Sequence, residues 1–409
     1  MNATSPALPP FRTLAAALRK TTEHLAREVV RSSESPPDWN ELEWAVARSV
    51  AAMQGISTLL ANRLRWRGPP MWQAFLAEQR EQCVLRDALI GRLLERIHST
   101  TRDAQIECVA LKGSALRTLG LYGPGERPMA DVDLLVRKAD STAIAAVMRN
   151  LDYEQTAVTE RHTIFVPRNR SKEDDLGEHV DNPLSIEVHT TVAESLPIRK
   201  VDITARLRPA SGRPGINAYP TLAALFLHLL LHAAGNMKAH ALRQVQLHDI
   251  ALLTRRLEDA DWEALATTGA ADDLWWAFPP LALSCRYYRC DPPPGLLERL
   301  RRGCPRMLRR STDREELTDV SWSNLRISAF PGIAWSRTPT DALLYVRSRA
   351  LPERAALAGL QEVVELHPQL GRVPWYQLAH GRRIVRWLFS RPPRVQTILS
   401  VTAALKAGR

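Results

Sequence analysis

From Val109 to Val136 the chain reads VALKGSALRTLGLYGPGERPMADVDLLV. A short apolar run of strand-forming residues ends in a Gly-Ser pair, and a second apolar run begins with two aspartates separated by one residue. Side chains two residues apart on a strand leave the same face, so Asp131 and Asp133 are predicted to lie side by side while the apolar residues around them enter the core. The pattern predicts a strand, a tight turn, a helix and a second strand with an acidic face.

A third carboxylate follows on a similar apolar run. Glu187 stands between Ile186 and Val188, so it is predicted to leave a strand on one face while its neighbours are buried. Two carboxylates roughly 7 Å apart along a strand can share hard cations spaced about 3.5–4 Å apart, and Mg²⁺ prefers such oxygen ligands. We therefore predict that Asp131, Asp133 and Glu187 bind Mg²⁺ and form the catalytic centre.

The Gly-Ser pair predicts a phosphate subsite. Gly113 and Ser114 fall at the predicted strand-to-helix turn, where backbone N–H groups and the helix dipole favour a phosphate. Lys112 and Arg127 are candidates for balancing the phosphate charge. Together with the carboxylates, these residues predict in-line attack on the α-phosphate of a nucleoside triphosphate, catalysed mainly by positioning and electrostatics.

Each of these features alone has an ordinary structural explanation. An isolated Asp-x-Asp is typical of a turn or a solvated strand edge, and an isolated Gly-Ser is typical of a turn. Glu187 alone fits a cross-strand ion pair. What favours a site for nucleotide transfer is that all three features occur in order, each flanked by apolar strand-forming residues.

The same ordered set resembles a known family. The segment LKGSALRTLGLYGPGERPMADVDLLV, followed by IEVH, is similar to the bacterial family of uncharacterised nucleotidyltransferases, within the DNA polymerase β-like nucleotidyltransferase superfamily. The resemblance spans roughly residues 40–270. The functional residues that it implies are Lys112, Ser114, Arg127, Asp131, Asp133, Glu187 and His189. Among these, it implies that the serine contacts the triphosphate and that the three carboxylates bind the metal.

The acceptor is not implied by the resemblance. Members of the family have varied or unknown substrates, and some are associated with peptide natural products, so we expect a small-molecule or peptide acceptor and favour ATP as the donor. The loop Tyr122 to Met129 lengthens the interval between Ser114 and Asp131, and we expect it to form part of the acceptor pocket. The alternative is a catalytically silent nucleotide-binding partner that presents a substrate to another enzyme. The presence of all three carboxylates favours the enzyme.

Two histidines are further candidates for this site. His189 shares the strand face of Glu187, where it is suited to bind a phosphate oxygen or to deprotonate an acceptor hydroxyl. A hydrogen bond within the site is the equally favoured alternative. His162 opens another predicted strand and is placed to face the same cleft.

Polar residues also lie on the helices predicted after Pro220. His228 and His232 are four residues apart, which places them on one helix face. Without a third ligand, this spacing favours hydrogen bonds in the core over a zinc site. Arg243 and Asp249 are predicted to form a polar contact between helices, and contact with the nucleotide is the less favoured alternative.

Composition is typical of a globular protein. The chain has 409 residues and a formal net charge of +11, with 45% hydrophobic and 24% charged residues. The basic residues are scattered rather than clustered, so no specific nucleic-acid partner is predicted.

The five cysteines form no CxxC pair, which suits a reducing cytoplasm. The longest apolar run, Leu222 to Ala234, is too short to span a membrane.

The fold is predicted to be α+β, with a small mixed sheet as the nucleotidyltransferase core and helices flanking it in sequence. We expect the helices that belong to the core to cover one side of the sheet. The region from 305 to 340 is expected to be rich in loops, and residues 341–409 are expected to be helical with a basic face. The predicted divisions are an N-terminal helical region at 1–103, the α/β core at 104–205, a helical domain packing on it at 206–300 and a basic, mostly helical region at 301–409.

Overall fold

The computed structural model describes residues 9–158, 162–169, 176–267, 271–293, 295–323, 328–352, 379–390 and 394–406. Four helices precede the first strand: α1 (Phe11–Val30), α2 (Glu41–Met53), α3 (Ser57–Arg63) and α4 (Pro70–Asp103). The central part contains β1 (Glu107–Ala110), α5 (Lys112–Thr118), β2 (Asp131–Val136), α6 (Ser141–Asn150), β3 (Tyr153–Val158), β4 (His162–Pro167), β5 (Ser185–His189), β6 (Ala193–Ser195), β7 (Lys200–Asp202), α7 (Thr204–Leu207) and β8 (Gly215–Asn217).

The described part of the chain after β8 is mainly helical. Its helices are α8 (Leu222–Lys238), α9 (Gln244–Thr254), α10 (Asp259–Thr267), α11 (Phe278–Tyr288), α12 (Leu296–Gly303), α13 (Arg306–Arg314), α14 (Leu317–Val320), α15 (Pro339–Ala350), α16 (His380–Ser390) and α17 (Val395–Lys406). Short 3-10 helices occupy Lys138–Asp140, Ala271–Ala277 and Ile333–Trp335. Within the described ranges, no helix is both long and apolar enough to cross a membrane.

Six strands form the central sheet in the order β3-β4-β5-β2-β1-β8. Strand β2 pairs in parallel with β5 and antiparallel with β1, so the sheet is mixed and the predicted α+β fold is confirmed. The apolar pattern did not predict β3 or β8. Strand β3 has exposed polar side chains at its centre, and β8 is an edge strand of three residues that begins with Gly215.

Helices cover both faces of this sheet. Val132, Leu134 and Val136 of β2 pack in a buried apolar cluster with residues of α4 and α6. On the opposite face Leu135 belongs to the larger cluster that contains Leu116 of the core helix α5 and the apolar residues of α8. The expectation of helices on one side was therefore wrong, because β2 carries a buried apolar residue on each face and both must be shielded from water.

The C-terminal part is more helical than predicted. Helices α13 and α14 lie in the region expected to be rich in loops, and they were missed because each is short and buries only a few apolar side chains. Helix α17 packs on α2, where Arg48 Nη2 donates to the carbonyl oxygen of Ala404 at 2.6 Å. Part of the helical prediction, residues 353–378, lies outside the described residues. The four-part domain division stays a prediction.

Candidate functional site

The pairing of β2 with β5 brings the three predicted carboxylates to one sheet face. In this parallel register Asp133 lies opposite Glu187, and Asp131 lies opposite Ser185. Neighbouring strands are about 4.7–4.9 Å apart, so the two paired carboxylates start from adjacent backbone positions. All three carboxylates line one cavity of about 240 Å³.

Helices α8 and α9 form the opposite wall of this cavity, which we call the carboxylate cavity. Lys112, Gly113 and Arg127 complete the lining near the carboxylates. The residues that α8, α9 and the turn between them contribute are Leu229, His232, Arg243, Val245, Gln246 and Asp249. The cleft therefore lies between the acidic sheet face and the helices that follow it in sequence.

Asp133 is buried and is held by two donors on the same oxygen. Lys112 Nζ lies 2.8 Å from Asp133 Oδ1, and His189 Nε2 lies 2.9 Å from it. Burial alone raises the pKa of Asp133, but Lys112 and His189 outweigh it and hold that pKa well below its ordinary value. Burial likewise opposes the charge on Lys112, and the neighbouring carboxylates of Asp133 and Asp131 nevertheless keep its pKa above the ordinary value.

Asp131 is in a different electrostatic situation. Burial, followed by the nearby charge of Asp133, raises the pKa of Asp131 to about 6. Within the described part of the chain, no hydrogen-bond donor contacts its carboxylate. A partly buried carboxylate beside a second carboxylate gains most from a cation, so Asp131, the second oxygen of Asp133 and Glu187 form an oxygen donor set that fits Mg²⁺.

Two histidines converge on Glu187 from neighbouring strands. Antiparallel pairing of β4 with β5 sets His162 opposite His189, with their ring centroids 4.9 Å apart. His189 Nε2 lies 3.6 Å from Glu187 Oε2, and His162 Nε2 lies 3.7 Å from the same oxygen. Burial lowers the pKa of His189, but its contacts with Asp133 and Glu187 raise it above the ordinary value overall.

These histidines line a second cavity of about 150 Å³, which we call the histidine cavity. Lys112, Glu187 and His232 line both cavities. The second cavity therefore opens beside the carboxylates.

His228 and His232 make hydrogen bonds on α8. His228 Nδ1 lies 2.7 Å from the hydroxyl of Tyr219, and His232 Nε2 lies 2.9 Å from Nε2 of Gln246. Burial lowers the pKa of His228 to about 3 and that of His232 well below its ordinary value. Both rings are therefore neutral at pH 7.

Asp249 binds Arg127 in a two-point ion pair. Arg127 Nε donates to Oδ1 at 2.8 Å, and Nη2 donates to Oδ2 at 2.7 Å. The hydroxyl of Tyr122 also donates to Oδ1 of Asp249, at 2.7 Å. The predicted contact of Asp249 with Arg243 is therefore replaced, and Arg243 Nε donates instead to the carbonyl oxygen of Met53 at 2.9 Å. Spacing along the chain does not distinguish the two arginines as partners of Asp249, because Arg127 is 122 residues away from it.

The start of α5 differs from the predicted turn. The helix begins at Lys112, which has a positive φ of 46°, so Gly113 and Ser114 lie in its first turn. A Cβ atom on Gly113 would lie 2.5 Å from Arg127 Nη1, so only glycine allows this approach. Ser114 is buried outside the cavity lining, and its Oγ contacts no hydrogen-bond partner in the described part of the chain.

Sequence reasoning missed Arg86, a buried arginine of α4. Its Nη1 donates to the carbonyl oxygens of His179 at 2.9 Å and Asn182 at 2.7 Å. Its Nη2 donates to the carbonyl oxygen of Met129 at 3.2 Å. One side chain thus ties together the segments that lead into β5 and β2. The available signal was an arginine at helical spacing between the apolar residues Cys83 and Ile90.

Comparison with known proteins gives one family match. The family model described as uncharacterised nucleotidyltransferase matches residues 40–278, more than half of the chain. No match was found among curated proteins. The solution structure of the antibiotic-resistance factor ANT(2″)-Ia is similar at 14% sequence identity and a TM-score of 0.31, covering 44% of this chain and 91% of that chain.

Proposed function

Because the chain belongs to the uncharacterised nucleotidyltransferase family and is thus a nucleotidyltransferase, we propose that it uses Mg²⁺ to move a nucleoside monophosphate from a nucleoside triphosphate, with ATP favoured. The proposed acceptor is a hydroxyl or phosphate of a small molecule or peptide. The observation that carries the proposal is the shared face of β2 and β5, on which Asp131, Asp133 and Glu187 line one cavity with Lys112.

We propose that Asp131, Asp133 and Glu187 hold the cation. Bound there, Mg²⁺ would offset the charge of the triphosphate and polarise the acceptor oxygen. Both donors to Asp133 contact Oδ1, which leaves Oδ2 available to the metal. Lys112 and His189 thereby fix the orientation of this carboxylate, so less conformational entropy is lost when a ligand binds.

Positioning of the triphosphate is assigned to Lys112, Gly113 and Arg127, which line the carboxylate cavity. The two-point contact with Asp249 fixes the guanidinium of Arg127, and Arg127 Nη1 lies next to Gly113. Ser114 Oγ is buried, so a direct contact with phosphate requires a change in the first turn of α5. Planar arginine groups suit phosphate oxygens because they present several donors in a fixed arrangement.

The acceptor is proposed to place its reactive oxygen beside Glu187, which lines both cavities. The loop expected to contribute to the acceptor pocket, Tyr122 to Met129, supplies part of the lining of a further cavity of about 170 Å³ next to Gly113. His189, held between Asp133 and Glu187, orients these carboxylates.

The five cysteines are all free, which supports the proposal of a reducing cytoplasm.

Calorimetric titration tests the nucleotide site. ATP, GTP, CTP and UTP would be titrated with Mg²⁺ into wild type, Asp131→Asn and the control Asp103→Asn, whose aspartate is exposed at the end of α4. We expect Mg²⁺-dependent binding of at least one triphosphate to wild type and to the control, and its loss in Asp131→Asn. Absence of binding to folded wild type, or equal binding to all three proteins, contradicts the proposed site.

Turnover separates transfer from binding alone. With the triphosphate identified, pyrophosphate release is measured in the presence of hydroxyl-bearing peptides and small molecules. Release that depends on an acceptor and is lost in Glu187→Gln supports transfer. Tight binding without release across these acceptors favours the silent partner instead.

A further inference from the structure

Three side chains at the edge of the histidine cavity have the composition of a transition-metal site. A nitrogen of His162, an oxygen of Glu187 and a nitrogen of His189 all lie within 4.8 Å of one another. They stand on two paired strands, β4 and β5, whose backbone hydrogen bonds fix their relative positions. Two imidazoles and one carboxylate are a donor set that suits zinc and related metals better than magnesium.

The distances to Glu187 leave room for a shared cation, whereas His189 Nε2 makes a direct hydrogen bond to Asp133 Oδ1 at 2.9 Å. The two Nε2 atoms lie 3.6 and 3.7 Å from Glu187 Oε2, which is beyond the usual hydrogen-bond range. Ligand atoms placed about 2.0–2.1 Å from a tetrahedral zinc ion are roughly 3.3–3.4 Å from each other. Adjustments of a few tenths of an ångström would bring each Nε2 atom to this distance from Glu187 Oε2. The two imidazole rings, whose centroids are 4.9 Å apart, would also have to turn towards the same ion.

We propose that His162, Glu187 and His189 form a second cation site that binds zinc or a similar transition metal. It is distinct from the proposed magnesium site and shares Glu187 with it. Three protein ligands leave a coordination position open to solvent or substrate, as in catalytic zinc sites, and the histidine cavity of about 150 Å³ provides the space. To bind this cation, His189 Nε2 must lose its proton and leave Asp133 Oδ1, and Lys112 at 2.8 Å then orients Asp133 without it.

The position of this site indicates its use. The histidine cavity adjoins the carboxylate cavity along Glu187, so an acceptor oxygen on the open coordination position would lie beside the triphosphate. This use rests on the proposed function, whereas binding of the metal does not. A metal with imidazole ligands selects an acceptor group that can bind it, such as a hydroxyl or phosphate oxygen.

Cobalt(II) is the probe for the test, because it replaces zinc and its visible absorption reports the ligand geometry. Full-length protein stripped of metals with a chelator is titrated with Co²⁺ without nucleotide, and Zn²⁺ is then added. We expect one equivalent of Co²⁺ to give a visible band that Zn²⁺ abolishes. We expect His162→Ala and His189→Ala to weaken binding by about 100-fold or more, since even loss of a supporting partner typically costs 10–100-fold.

Matched variants keep the outcome interpretable. His232→Gln alters the same cavity without touching the proposed ligands, and circular dichroism establishes that each variant is folded. The band should persist in His232→Gln and in Asp131→Asn, the variant expected to lose triphosphate binding. Wild type without a band, or a band unchanged in both His162→Ala and His189→Ala, overturns the metal site. A persistent band in a protein that binds no triphosphate overturns the nucleotide site alone.

Discussion

Two aspartates on the same strand face have opposite electrostatic environments. Asp133 accepts from Lys112 and His189, and its pKa is held low, whereas the pKa of Asp131 is raised to about 6 by burial and by Asp133. A carboxylate with fixed donors positions the site, and one without donors gains most from a cation. In the proposed cation site, Asp133 would therefore orient the ligands and Asp131 would gain most from the bound ion, although the two side chains are chemically identical.

His248 shows how local hydrogen bonds fix a protonation state. The Tyr122 hydroxyl donates to Asp249, so His248 Nδ1, 2.9 Å from that hydroxyl, must be the donor to it. Arg63 can only donate, so His248 Nε2, 3.0 Å from Arg63 Nη1, must accept. A second proton would meet the charge of Arg63. Burial first, and Arg63 second, lower the pKa of His248 to about 3.

This histidine predicts a loss of stability in acid. In the unfolded chain His248 takes up a proton near its ordinary pKa of 6.5, whereas in the folded state it does so only near 3. The unfolded state therefore binds more protons between these values, and stability falls as the pH falls. From pH 7 to 4 we expect this group to lower the free energy of unfolding by up to about 3 kcal/mol.

Urea unfolding at several pH values measures this contribution. His248→Gln should be less stable than wild type at pH 7 but lose less stability on acidification. The exposed residue His98 provides the control, and His98→Gln should follow the wild-type pH dependence. Parallel pH profiles for wild type and His248→Gln would contradict the assigned protonation state.

At the scale of elements, the first turn of α5 lies close to both β2 and Arg127. The helix starts one residue after Leu111, whose N–H donates to the carbonyl oxygen of Asp133 at 2.9 Å. Gly113 in this turn lies next to the guanidinium of Arg127, which donates two hydrogen bonds to Asp249. Helix, strand and arginine are therefore fixed relative to one another at Gly113.

Gly113→Ala is expected to disturb this junction. The added Cβ would lie 2.5 Å from Arg127 Nη1 and 3.2 Å from the sulfur of Met129. Arg127 must move and weaken its contact with Asp249, so we expect a loss of about 1–3 kcal/mol in the free energy of unfolding together with weaker triphosphate binding. Both are measurable by urea unfolding and calorimetry.

Gly381 in α16 provides the matched control. A Cβ there meets no atom of the described residues within 4 Å, so Gly381→Ala should not lower stability. Equal stability of the two variants would show that Gly113 is not constrained by Arg127.

The elements that sequence predicted well are those with strong apolar patterns. Strands β1, β2 and β5 and helix α8 are rich in buried aliphatic residues, and the spacing of Asp131 and Asp133 was enough to place both on one strand face. Partners distant in sequence could not be predicted. Arg127 and Asp249 are 122 residues apart, and nothing local distinguishes Asp249 from the other aspartates of the chain. Elements that are short or mostly polar, such as β3 and α13, also lack the apolar periodicity needed to predict them from sequence.

At the scale of the whole molecule, a helix from the C-terminal region packs on a helix from the N-terminal region. Helix α17 packs against α2 through the bond from Arg48 to Ala404. At its C-terminal end α2 leads to Gln54, whose carbonyl oxygen accepts from the N–H of Val245 at 3.1 Å in the first turn of α9. Helix α9 also contains Asp249, which lines the carboxylate cavity. The N-terminal and C-terminal helices thus support the wall of the site.

Val401→Asp tests this arrangement. Val401 is fully buried in α17, so an unpaired carboxylate there should destabilise the protein by about 3 kcal/mol or more. Leu399→Asp, on a residue that is 39% exposed in the same helix, is the matched control and should have little effect. Thermal unfolding measures both, and similar melting temperatures for the two variants would show that α17 contributes little to the fold.

The parallel pairing of β2 with β5 has a consequence for synthesis of the protein. Asp133 precedes Glu187 by 54 residues, so a growing chain carries two acidic groups before their third partner exists. At about 5–20 residues per second, the ribosome needs roughly 3–11 s to supply it. Helices α8 and α9 follow β5 in sequence and are synthesised later still. Pairing of β2 with β5 and closure of the cavity by these helices are both long-range steps, which are slow to form. The nascent chain therefore lacks one of the three carboxylates of the proposed cation site during early folding, so a metal bound by all three cannot guide those first steps.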